Sequence, residues 1–186
     1  MRMNFFKMVL LAVLCFYIFS IGTSFADGKY KRSEFGSWSD EDGNCLNTRH
    51  ELLKLFSKTV PKLRSDGCAV VSGSWIDPYT AKYSLDPTLL DIDHLVPLKF
   101  AWEHGAGDWT YLERKLFSNN FLNLFVVDRN ANRKKGALGP LDWMPSNVSF
   151  QCKYIQRFLY VIGVYDLKLS TMEALGYRDL ELRICN

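Results

Sequence analysis

Four side chains carry the chemistry open to this chain: Asp93, His94, Asn123 and Asn132. Asp93 is a hard carboxylate able to hold a cation, and its neighbour His94 has an imidazole whose ordinary pKa, about 6.5, lets it take up a proton near neutrality. Asn132 adds a neutral oxygen of the kind Mg2+ accepts while keeping several of its waters. Arg129, Arg133, Lys134 and Lys135 crowd the same segment. A base for water, ligands for a cation that bears developing charge, and cationic donors for a polyanion are the parts that phosphodiester hydrolysis requires. Singly, each has a plainer reading. An Asp-His pair at a strand end is a surface hydrogen-bonded pair, Asn123 and Asn132 are turn or capping residues, and Arg133-Lys134-Lys135 is a solvated helix face. Their order and spacing together favour the chemical reading.

The elements that must position these groups follow from local pattern. Leu89 to Val96 reads as a strand closed by Pro97, which lacks a backbone donor. Leu124 to Val127 is a short apolar run of strand character, Asp128 caps the helix after it, and Gly136 ends that helix. Between the two strands lies an insertion. It holds a helix from Pro97 to Gly105 and a second one, capped by Asp108, through Leu112 and Leu116. Before this centre, Thr48 and Glu51 are spaced as a capping box for a helix to about Lys58, stopped before Pro61. Short strands are expected over Cys68 to Ser72, Ser74 to Ile76 and Tyr79 to Tyr83. After it, a helix runs from Phe150 to about Val161, and Ser170 with Glu173 forms a capping box for a short final helix. Residues 27–44 form a polar, glycine-rich arm in which Phe35 and Trp38 are isolated anchors. No repeat or linker divides the chain, so the fold class is α+β, with one domain over residues 27–186 and a strand, insertion, strand and helix at about residues 89–136.

The first 26 residues have the layout of a secretory signal peptide: Arg2 and Lys7, an apolar run from Met8 to Phe19, and small residues ending at Ala26. An uncleaved anchor is the alternative, disfavoured because the run is shorter than the roughly 20 residues that span a bilayer. No stable membrane association is expected once the leader is cut. The whole chain has 23 basic and 20 acidic residues, and loss of Arg2 and Lys7 leaves 21 against 20. A mature protein so close to neutral binds nucleic acid through a local patch or not at all. With Cys15 in the leader, Cys45, Cys68, Cys152 and Cys185 remain. Four cysteines in an exported chain imply two disulfides, with three connectivities open. Proximity favours Cys45 with Cys68 and Cys152 with Cys185. A zinc site is the rival, but no closely spaced cysteine pair forms a knuckle. Trp102, Trp109 and Trp143 read as core aromatics, and His50 and His104 as surface or capping residues. Asn147-Val148-Ser149 is a glycosylation sequon. The oligomeric state has no signal in the sequence.

The central combination resembles the HNH, or ββα-metal, endonuclease superfamily. There a strand ending in Asp-His is followed by a second strand entered at an Asn and by a helix carrying a metal-binding Asn or His. The matching residues are Asp91 through Pro97, then Asn123, then Asn132-Arg133-Lys134-Lys135-Gly136. The step from Asn123 to Asn132 is similar to the one in the HNH domain of RNA-guided DNA nucleases. A closer resemblance is to the family named for the C-terminal domain of GmrSD-type restriction endonucleases, many members of which are small and secreted. It extends over Gly36-Ser37-Trp38, Asp42-Gly43-Asn44-Cys45, Thr48-Arg49, Gly67-Cys68, Ser72 through Tyr79, Ala101-Trp102, Gly105-Ala106, Trp109, Gly139-Pro140, Trp143-Met144-Pro145 and Cys152-Lys153-Tyr154. The chain departs from that pattern at His50 and at Asn119-Asn120.

The resemblance implies a general base at His94, one divalent cation on Asp93 and Asn132 (Mg2+, with Mn2+ as alternative), and Asn123 holding the loop and orienting His94. Arg133, Lys134 and Arg129 are expected to contact substrate. The function implied is that of a secreted or periplasmic endonuclease acting on DNA, with RNA as alternative substrate. A catalytically silent nucleic-acid-binding or structural domain and an exported nuclease toxin are the rival readings.

Overall fold

The computed structural model describes residues 28–186, so the leader read over residues 1–26, its cleavage point and Cys15 lie outside the described residues. The arm enters with a 3-10 turn, Arg32–Phe35, and leads to helix α1, Thr48–Phe56. Four very short strands follow: β1 (Lys62–Leu63), β2 (Val70–Ser72), β3 (Trp75–Ile76) and β4 (Tyr83–Ser84). The centre is β5 (Leu90–His94), α2 (Leu98–Glu103), α3 (Tyr111–Asn119), β6 (Leu124–Asp128) and α4 (Arg129–Lys135). Helices α5 (Val148–Val164) and α6 (Thr171–Cys185) complete the chain. The strands form three antiparallel pairs, β1 with β2, β3 with β4 and β5 with β6. Two-stranded ribbons are marginal alone, so these owe their persistence to the helices and side chains packed on them. Mixed helices and small antiparallel sheets make this an α+β domain.

The pair β5–β6 runs in unbroken register from Leu90 opposite Asp128 to His94 opposite Leu124. Side chains alternate across a strand. Leu90 and Ile92, with Leu124 and Val126, therefore fill one cluster beside Leu52, Leu53, Val70 and Trp75. Val127 faces the other way, into the larger core of Phe100, Phe117, Tyr154, Ile155 and Phe158. Asp91 and Asp93 share that second face, toward α4. The sheet thus lies between two cores, with its polar residues where strand and helix meet.

Several local expectations need correction. Thr48 does not cap α1: Asn47 does, accepting from the backbone N–H of His50, while the Thr48 hydroxyl donates 2.6 Å to Asn119 Oδ1. Asn is as good a cap as Thr, and the long-range bond draws Thr48 inward. Asp108 sits in a 3-10 turn, and Thr110 caps α3 in a full capping box with Glu113. The Tyr79–Tyr83 strand shrinks to Tyr83–Ser84, because the Asp77 carboxylate accepts from the backbone N–H groups of Tyr79 and Thr80 and folds the chain into a turn. Helices α5 and α6 are longer than expected, and β1 was unforeseen. The caps at Asp128 and Ser170 stand as read.

The disulfides are Cys45–Cys68 and Cys152–Cys185, each with Cα atoms 4.9 Å apart. The second fastens the second turn of α5 to the last turn of α6, and the zinc alternative falls away. The amide of the sequon residue Asn147 is engaged, donating 3.0 Å to the Pro78 carbonyl. Trp102 is buried, with Trp109 and Trp143 packed against the same core.

Candidate active site

At the C-terminal end of β5 the chain presents two consecutive polar side chains on opposite faces, and both are buried. The His94 imidazole lies on the Trp38 side, ring centroids 5.3 Å apart and nearly parallel at 9°, in the range of offset stacking. Its Nε2 is 2.8 Å from the Ser118 carbonyl oxygen. A carbonyl only accepts, so Nε2 carries the hydrogen, and the lone pair resides on Nδ1. Burial, helped by the nearby positive charges of Arg32 and Lys135, pushes the His94 pKa down to about 3 against the opposing Ser118 bond. The imidazole is therefore held neutral, with Nδ1 unprotonated and without a hydrogen-bond partner among the described residues.

Asp93 points the other way and is held from two sides. The Tyr79 hydroxyl donates 2.5 Å to Oδ2. Lys135 Nζ donates 3.0 Å to Oδ1 and lies 2.9 Å from Oδ2, and it also donates 2.8 Å to the His94 carbonyl. Burial raises the Asp93 pKa and lowers that of Lys135, each opposed by the partner's charge. Tyr79 is pushed well above its usual range by burial and by Asp93, which keeps it a donor. A buried ion pair of this kind persists because its remaining hydrogen-bonding capacity is met.

Asn123 is wholly buried. Its Oδ1 accepts 2.7 Å from the Val96 N–H and its Nδ2 donates 3.1 Å to the Val96 carbonyl, while its own carbonyl accepts 2.8 Å from the Leu95 N–H. One side chain thus clamps the backbone just after His94. On α4, residues three and four apart share a face, and Arg129 and Asn132 meet Asp91: Asn132 Nδ2 donates 3.2 Å to Oδ2, and Arg129 Nε lies 3.5 Å from Oδ1.

Asp93, His94 and Asn132 line one cleft of about 350 Å³, together with Arg32, Lys99 and Gly136. Arg133 is exposed one residue beyond Asn132. Lys134 lines a separate cleft with Thr80, Asn130 and Trp143. The structure thus unites three of the sequence-identified residues, sets Asn123 behind them as a backbone clamp, and turns Lys134 elsewhere.

Among the described residues no group of three or more His, Cys, Asp or Glu side chains surrounds a common point, so a cage built wholly of charged ligands is absent. The donors that remain suit an open site. Asp93 accepts two hydrogen bonds of the roughly four its oxygens can take, and the bond from Asn132 Nδ2 to Asp91 leaves the Asn132 side-chain Oδ1 unengaged. One carboxylate and one amide oxygen fit a hard divalent ion that keeps most of its shell for water and phosphate.

Two contributors had no role in the sequence reading, and a third, Lys135, was read there as a cation for the polyanion but is committed to Asp93 and the His94 carbonyl. Lys135 was one of a basic run, yet it is 1% exposed. Its spacing of four from the apolar Ala131 is the signal that places it on the buried face of α4. Tyr79 gave no local sign. Helix α3 supplies the Ser118 carbonyl and also fixes the arm: the Ser118 hydroxyl donates 2.7 Å to the Phe35 carbonyl, Asn119 Oδ1 accepts 2.8 Å from the Ser39 N–H, and Arg114 pairs with Glu34 at 3.2 Å. His50 is a tie rather than a surface group, its Nδ1 accepting from the Val70 N–H at 3.1 Å. His104 caps α2 as expected and pairs with Glu173 at 2.9 Å.

With this geometry in place, the comparisons with known proteins fix the family. A profile for the C-terminal domain of GmrSD restriction endonucleases matches residues 48–174, and the chain belongs to that family. It is also 39% identical over 147 residues to an uncharacterized secreted protein of Arthroderma benhamiae, covering 77% of this chain and 70% of that one. No solved structure matches. No described helix is long and apolar enough to cross a membrane. Two disulfides and a secreted relative suggest an extracellular protein.

Proposed function

We propose that this protein is an exported, metal-dependent endonuclease of the HNH type that hydrolyses phosphodiester bonds of DNA, with RNA as the alternative substrate. The observation that carries this reading is a neutral, buried His94 with Nδ1 unengaged, in one cleft with Asp93 and Asn132. In the proposed reaction a water in the cleft loses its proton to Nδ1 as its oxygen forms a bond to phosphorus, and the phosphorus–oxygen bond to the leaving sugar breaks. Ser118 and Trp38 fix the plane of the ring, so the proton acceptor needs no reorientation. Entry of an anionic phosphate beside His94 favours the imidazolium and raises the basicity of Nδ1 when it is needed. A divalent ion, Mg2+ or Mn2+, held by Asp93 and Asn132 would supply positive charge to the phosphate and to the leaving oxygen. Lys135 and Tyr79 keep the Asp93 carboxylate in one orientation.

The test is purified mature chain on plasmid, single-stranded DNA and RNA, with and without Mg2+ and with chelator. Chelator-sensitive cleavage is expected, and its absence on all three substrates would sink the enzymatic reading in favour of a silent binding or structural domain. Within that assay, Asn132→Ala should raise the Mg2+ concentration for half-maximal cleavage about tenfold or more. Arg133→Ala, beside it but outside the cleft, should leave the Mg2+ requirement unchanged and weaken binding instead. Equal Mg2+ demand in both variants would remove Asn132 from the ion.

A further inference from the structure

The cleft that holds His94 continues past it. A second lobe of about 170 Å³ is lined by Gly36, Ser37, Trp38 and Ser118, and it shares Arg32, His94 and Leu98 with the first. The imidazole forms part of the wall between the lobes. Arg32 reaches both from the arm, which precedes the span matched by the family.

The cations around this wall differ in what they are free to do. Lys135 is buried and committed to Asp93 and the His94 carbonyl. Lys99 lies 3.6 Å from Glu103 on the same helix. Arg129 is turned to Asp91. Arg32 is exposed and makes no ion pair among the described residues. It is also preordered: it begins a 3-10 turn whose last residue, Phe35, is wholly buried, and α3 bonds the arm at Glu34, Phe35 and Ser39. A guanidinium carried on an ordered stretch of backbone beside a shared wall, with donors in a planar fork, suits a phosphate better than a single ammonium does.

Resting on the nuclease reading above, we infer that Arg32 holds the backbone phosphate beside His94, and that the two lobes take consecutive nucleotides of one strand. Arg32 is then a substrate-binding residue supplied by a segment outside the family-matched span.

The experiment uses the mature chain and a short fluorescein-labelled single-stranded oligodeoxynucleotide. Binding is measured against salt concentration in chelator, and cleavage with Mg2+. Each phosphate neutralised contributes about −0.7 to the slope of log affinity against log salt for a single strand. Arg32→Ala should weaken binding about tenfold and flatten the slope by about that amount. Arg32→Lys should restore the slope but only part of the affinity, and KM should rise more than kcat falls. Arg178→Ala, an exposed change on α6 with the same loss of charge, should leave all of these unchanged. If wild type binds and Arg32→Ala keeps its affinity and slope, the assignment of Arg32 is overturned while the nuclease reading stands. If wild type neither binds nor cleaves, the nuclease reading itself fails, and this inference fails with it.

Discussion

His94→Ala is expected to lower the cleavage rate by roughly 10²–10⁴-fold, the usual worth of a positioned general base. The residual rate should keep its dependence on Mg2+, since the substitution leaves Asp93 and Asn132 in place. Folding should survive. Removing a buried ring stacked on Trp38 and bonded to Ser118 costs about 3–5 kcal/mol in lost packing and an unpaired carbonyl, below most of the 5–15 kcal/mol range typical of a domain. Oligonucleotide binding should change little, because Arg32 and the rest of the cleft are untouched. The measurement is a single-turnover rate on plasmid, with thermal unfolding as the control for structure. A variant that unfolds like wild type and cleaves within about twofold of it would remove His94 from the mechanism.

How much of this arrangement was legible in the sequence depended on how local its causes are. Asp128 and Ser170 were readable as caps because a cap bonds to backbone only a few residues away. The Asp93-His94 strand end and the Asn123-to-Asn132 step were readable for a similar reason: strand, turn and helix place these residues by short-range geometry. The Thr48 assignment failed because a distant partner drew it away from the cap, whereas the Asp108 assignment failed against a local competitor, the capping box spacing of Thr110 and Glu113. Asn119, 71 residues away, takes the Thr48 hydroxyl, and a capping box with Glu113 selects Thr110 over Asp108.

The same limit hid the support of the site. Nothing near Ser118 announces that its carbonyl will hold the His94 ring. The insertion between β5 and β6 reads only as two amphipathic helices, yet one of them fixes both the imidazole and the arm that brings Trp38 and Arg32. Tyr79 reaches Asp93 because the Asp77 turn and the larger core set its ring against Trp143 and Tyr154. The chemistry-bearing residues form a short-range pattern, whereas the residues that orient them were chosen by tertiary packing.

The second large effect is expected at Lys135, where stability and function can be separated. Lys135→Met removes one member of a pair in which the lysine and aspartate side chains are 1% and 6% exposed. Asp93 would then remain buried with only the Tyr79 hydroxyl, and breaking a buried pair in this way costs about 3–5 kcal/mol. Asp93→Asn alone should also destabilise, by leaving the ammonium without its counter-charge. The double variant Lys135→Met/Asp93→Asn removes both charges, keeps an acceptor for Tyr79, and should recover most of the loss, giving strong coupling in the cycle. Denaturant unfolding in chelator measures all four proteins without any contribution from a bound ion. Cleavage should follow a different order. Under the proposed mechanism the carboxylate is needed for the reaction, so the double variant should be nearly as stable as wild type and still inactive. A Lys135→Met protein with an unchanged denaturation midpoint would refute the energetic claim. A stable double variant that cleaves normally would show that Asp93 is a structural partner of Lys135 and has no part in the chemistry.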